Sequence, residues 1–170
     1  MIIWHWKFYM ARVNLNDLSL NYYDNQKIVK PAVVFIHGLG ENLVSWTQQI
    51  EAFDKQYRVI ALDLRGHGLT SGGDSNISIE QFAGDVIALL DYLNIEKAHF
   101  VGLSLGGMIC QELTRHNQKR MLSMSLCNTA AFPTDPGNYP LSVRLNMVKN
   151  TPMEAIADYV TRSCLPQQQY

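Results

Sequence analysis

The chain has 170 residues, 47% hydrophobic and 17% charged, which suits a folded domain with one sizeable core and excludes a disordered chain. Fourteen basic residues against fifteen acidic ones leave a net charge of -1 with no basic run, so nothing electrostatic points to nucleic acid or a membrane surface. No apolar run reaches the length of a membrane span, and Cys110, Cys127 and Cys164 lack the spacing of a disulfide scaffold or a zinc site.

In chain order, residues 1–9 are aromatic and apolar but have no basic start and no small-residue cleavage site, so they read as a mis-set start or an upstream extension rather than a signal peptide. With the cysteines read as reduced core residues, the expected location is cytoplasmic. The domain is expected to begin at Met10. Ala11 to Leu15 and Leu18 to Tyr23, separated by Asn16-Asp17, predict a hairpin at a sheet edge. Ala32 to Ile36 and Arg58 to Leu62 are continuous apolar runs, as in strands covered on both faces, and Gln48 to Tyr57 predicts a short helix between them. Residues 70–78 are rich in Gly, Ser, Asp and Asn and predict a surface loop. Ser78 with Gln81 forms a capping box, and Phe82, Val86, Leu89, Leu90 and Leu93 continue at helical spacing. Asp85 and Asp91 are read as charges on that helix's solvated face. Lys97 to Val101 predicts a strand, Leu105 to His116 a helix, and Met121 to Cys127 another buried strand. Alternating strands and helices of this kind predict an α/β fold with a doubly wound, mostly parallel sheet.

The chemistry concentrates at Gly102-Leu103-Ser104-Leu105-Gly106, which fits the G-x-S-x-G nucleophile elbow and stands where a strand gives way to a helix. A serine at so sharp a turn is backbone-strained, and flanking residues without a Cβ are needed where strand and helix cross. The turn exposes the hydroxyl beside helix N-terminal amides, so Ser104 is the candidate nucleophile.

Three stretches in this order, His37-Gly38-Leu39-Gly40, Asp63-Leu64-Arg65-Gly66-His67-Gly68 and the Ser104 elbow, resemble the α/β-hydrolase family. Cys127-Asn128-Thr129-Ala130-Ala131, Arg144 and residues 153–158 narrow the resemblance to 3-oxoadipate enol-lactonases and related lactone or ester hydrolases. The resemblance implies backbone N–H donors for an oxyanion hole at Leu39 and Leu105, structural roles for His37 and His67, and attack of Ser104 on a carbonyl to form an acyl-enzyme. It implies a small ester or lactone as the partner molecule; no metal or organic cofactor is expected, because nothing outside the serine-based constellation has ligand spacing. The enol-lactone carries a carboxylate, for which Arg144 is the candidate partner and Arg162 the second; a solvated helix charge is the alternative for each. Ser163-Cys164 after Arg162 departs from the enol-lactonase pattern.

The family order is Ser, then Asp or Glu, then His. Downstream of Ser104 the one histidine is His116, twelve residues along the helix and so roughly 18 Å from the serine. No histidine of this chain suits the base. The expected organisation is therefore residues 10–131 as the N-terminal part of a hydrolase core and residues 132–170 as the start of a helical cap, in an N-terminal fragment whose later core strands carry the acid and the histidine. Self-association through the exposed core edge is expected to follow. A hydrolase-fold binding protein without catalysis, a carbon–carbon bond hydrolase and a perhydrolase remain as alternatives.

Overall fold

The computed structural model describes residues 10–15, 17–72 and 77–130. The chain divides into two compact units, Met1–Phe132 and Pro133–Tyr170. The predicted cap helices, Arg144, Arg162 and Cys164 lie outside the described residues.

The first unit is a six-stranded sheet in the order β1-β2-β4-β3-β5-β6. Strands β1 (Met10–Leu15) and β2 (Leu18–Asp24) form the expected antiparallel edge hairpin. The strands β3 (Ala32–Ile36), β4 (Arg58–Leu62), β5 (Ala98–Leu103) and β6 (Met121–Cys127) are mutually parallel, and β2 joins β4 antiparallel. Every residue of β3 and β4 is buried, as expected of strands covered on both faces. One face packs Leu20, Val34, Ile36, Ile60 and Phe100 against helices α2 (Ile79–Tyr92) and α3 (Leu105–His116). The other packs Val33, Phe35, Val59 and Ala61 beneath Leu43, Trp46 and Ile50, which belong to a single 3-10 turn and to helix α1 (Thr47–Phe53). Helix α1 is shorter than expected. The chain enters it through the 3-10 turn Leu43–Trp46, capped by the Asn42 side chain, and its C-cap is already Asp54.

Two expectations are corrected. The first concerns β6, which is an edge strand with most of its residues exposed rather than a buried one. Its apolar residues Leu122, Met124 and Leu126 alternate with serines, the pattern of a strand covered on one side at most. The second concerns Asp85, which is not on a solvated face. It is 7% exposed and ion-paired through both carboxylate oxygens to Arg65, itself 1% exposed. Asp17 in the hairpin turn pairs with the same guanidinium, so Arg65 joins β1–β2, the loop after β4, and α2. Two carboxylates hold the guanidinium above its usual range despite burial. Asp91 is solvated as expected, paired with Arg120.

Candidate active site

The carboxyl ends of β3, β4 and β5 bring three loops to one sheet edge. Each loop is fixed by its own set of hydrogen bonds and close contacts. Ser104, between β5 and α3, has φ 51° and ψ -111°, a conformation costing about 1–3 kcal/mol that must be stabilised by its surroundings. The Ser104 amide donates to the Cys127 carbonyl at 2.9 Å. The Ser104 carbonyl accepts from the Gly107 and Met108 amides and from Thr129 Oγ1 at 2.7 Å. The flanking glycines are sterically required. A Cβ on Gly102 would fall 2.7 Å from the Gly107 nitrogen, and one on Gly106 would fall 2.9 Å from the His37 carbonyl oxygen. Gly107 is equally closed, since its Cβ would lie 2.6 Å from the Thr129 Cβ.

The second loop follows β3. Gly38 to Glu41 form a turn in which the Glu41 amide donates to the Gly38 carbonyl at 3.3 Å and Gly40 takes φ 77°, the geometry of a type II turn with glycine at its third position. Glu41 Oε2 returns to accept the Gly38 amide at 3.1 Å. Among the described residues the amides of Leu39 and Leu105 donate to no acceptor, and the Ser104 hydroxyl is likewise unbonded. Ser104 is half-buried and Leu39 is exposed.

The third loop follows β4. Asp63 accepts from the Leu43 amide, the Leu69 amide and Asn21 Nδ2, all at 2.8–2.9 Å, so it organises backbone rather than facing solvent. Gly68, at φ 53°, leaves room for that carboxylate, because a Cβ there would sit 2.8 Å from Asp63 Oδ1. His37 is fully buried. Its Nδ1 donates to the Gly38 carbonyl at 2.7 Å and its Nε2 accepts the Leu64 amide at 3.0 Å, which ties the second loop to the third. Burial pushes its imidazole below the ordinary histidine range, an effect the Gly38 bond opposes. With both ring nitrogens engaged, His37 is a strut between loops.

The other described histidines are also committed elsewhere. His67 binds the Arg65 carbonyl and packs against His37 with ring centroids 5.2 Å apart and planes tilted by 57°; His99 binds Ser123 Oγ; His116 ends α3. The structure thus brings Ser104, Leu39 and Leu105 to one edge, with no described histidine bonded to the serine. Residue-by-residue reading of the sequence missed Glu41 and the contact of Thr129 with the Ser104 carbonyl. Thr129 had a signal in its place straight after β6, whereas Glu41, next to a glycine turn, had none. Cys110 is buried with its thiol pushed up to about 12, chiefly by desolvation, and is inert packing. No cluster able to hold a metal ion occurs among the described residues.

A family model described as alpha/beta hydrolase fold matches residues 31–157. The chain is 40% identical over 131 residues to 3-oxoadipate enol-lactonase 2 of Acinetobacter baylyi, covering 77% of this chain and 48% of that protein. Its fold is similar to the crystal structure of an enol-lactonase from Burkholderia xenovorans LB400, with a TM-score of 0.80 at 34% identity over 89% of this chain and 58% of the other. A hydrolase from Pseudomonas aeruginosa PA01 superposes with a TM-score of 0.79 at 30% identity, over 89% and 58% respectively. The chain spans about half the length of the curated relatives it matches. On the matched model and these relatives, the chain belongs to the alpha/beta hydrolase fold family.

Proposed function

We propose that the protein is a serine hydrolase of carboxylic esters or lactones, with Ser104 as nucleophile and the amides of Leu39 and Leu105 as the oxyanion hole. The observation that carries this reading is the strained Ser104, held at positive φ between two obligatory glycines at the carboxyl end of β5. The unbonded amides of Leu39 and Leu105 at the same edge support it, as does the similarity to enol-lactonases. In the reaction Ser104 Oγ attacks the carbonyl carbon, and its proton passes through a general base to the departing alkoxide as the ester C–O bond breaks. Water then hydrolyses the acyl-enzyme, releasing the acid and restoring the serine hydroxyl. The base and the acid that orients it belong, in this reading, to sequence outside the described residues. Arg144 remains the proposed partner for a substrate carboxylate, and 3-oxoadipate enol-lactone is the specific substrate to test.

A second reading, a binding protein on the same scaffold, is favoured by one observation: no described histidine is bonded to Ser104. Reading the source DNA past the codon for Tyr170, then assaying the protein it encodes, separates the two. An in-frame acid followed by a histidine, with lactone or ester hydrolysis abolished by Ser104→Ala, is the expected result. A stop codon directly after Tyr170, or hydrolysis indifferent to Ser104→Ala, overturns the enzyme reading.

A further inference from the structure

We infer that Glu41 gives the mouth of this site a fixed negative charge and thereby selects against substrates bearing an anionic group beside the scissile carbonyl. The inference rests on Ser104 being the nucleophile. Glu41 Oε2 holds the Gly38 amide at 3.1 Å, which keeps the carboxylate folded back over the turn instead of pointing away from it. The space above the Gly38 Cα then has two walls. A Cβ built there would lie 3.4 Å from Glu41 Cδ, 3.5 Å from Glu41 Oε2 and 3.5 Å from Ser104 Cβ. The carboxylate and the serine therefore border one small volume.

Glu41 has no ion pair among the described residues, where the basic partners Lys27, Arg58, Arg65, Arg115 and Arg120 are matched to other acids. The histidine closest in sequence, His37, is kept neutral by burial. A second anion brought into this volume meets like charge that is screened less than in bulk water, because a half-buried site has an effective dielectric below that of water. Acyl groups that are neutral beside the scissile carbonyl are thus favoured, whereas the carboxylate of the enol-lactone proposed above is carried on the leaving-group side of the scissile bond and does not meet this charge in the same way.

The isosteric change Glu41→Gln tests this, since the amide oxygen still accepts the Gly38 N–H and the charge alone is lost. The probes are 4-nitrophenyl butyrate, which is neutral, and 4-nitrophenyl hemisuccinate, which is anionic, assayed with the complete protein encoded at the source locus. The expected kcat/KM ratio of neutral to anionic ester falls about tenfold in Glu41→Gln, with the difference shrinking in high salt. A role confined to clamping the turn would move both esters alike, so an unchanged ratio overturns the inference while leaving Ser104 as the nucleophile. Absence of Ser104-dependent hydrolysis of either ester overturns the reading of Ser104 as nucleophile, and the inference with it.

Discussion

At the residue scale, the site is defined by where side chains are forbidden. Gly102 and Gly106 face backbone atoms, which cannot move aside as a flexible side chain can, so Gly102→Ala and Gly106→Ala are each expected to destabilise the fold by about 3 kcal/mol or more. Urea unfolding followed by circular dichroism measures this, and a loss below 1 kcal/mol would mean the crossing of β5 and α3 relaxes readily. His37 adds a pH dependence. Its folded-state pKa is depressed, so below its ordinary value of about 6.5 the unfolded chain takes up a proton that the folded protein refuses. Stability is therefore full above that pH and falls as pH drops through it toward the folded value, by up to about 1.4 kcal/mol per pH unit. Urea midpoints between pH 8 and pH 5 should show the fall, and His37→Gln, which keeps an acceptor for the Leu64 amide, should flatten it. The elbow, its glycines and the His37 loop were legible in the sequence because local backbone geometry dictates those residue types. Glu41 was not, because its meaning depends on how closely a turn after β3 approaches a serine 63 residues further along the chain.

At the scale of elements, α2 shows what periodicity reveals and what it leaves out. Ser78 caps the helix as expected, accepting the Gln81 amide at 3.1 Å, but the reciprocal half of the box is absent because Gln81 Nε2 turns to Asp85. Asp85 stands three residues after Phe82 and four before Leu89, within the apolar stripe, and that spacing was a usable sign of burial. Its partner Arg65 lies in a distant loop, which no local pattern announces. Because both charges are desolvated, Asp85→Asn is expected to cost about 3–5 kcal/mol by leaving Arg65 under-compensated. Asp91→Asn on the same helix removes only a pair in which the carboxylate is 61% exposed and should cost less than about 1 kcal/mol. Comparable losses for the two, measured by chemical denaturation, would contradict the burial of the Arg65 network.

At the scale of the whole molecule, the sheet is unequal at its two sides. The hairpin side ends in β1, where Val13 packs into the core, and the continuous apolar runs of β3 and β4 made the centre readable. The β6 side was misread because an apolar composition was taken for two-sided burial, although serines at 123 and 125 already interrupt it. In the fold, Leu122, Met124 and Leu126 are 49%, 36% and 43% exposed on a strand whose outer backbone groups have no neighbouring strand among those described. A seven-residue edge of this kind is a template for pairing with another chain. The 170-residue chain is therefore expected to self-associate with rising concentration in sedimentation velocity, and Leu122→Lys with Met124→Lys to suppress it. Ile28 and Val29 are more exposed still, at 75% and 93%, but they lie in a loop with no strand edge. Changing those two to lysine should leave association unaltered, which separates edge pairing from general stickiness. Equal suppression by the loop pair would show that exposed apolar area, rather than the open edge of β6, drives the association.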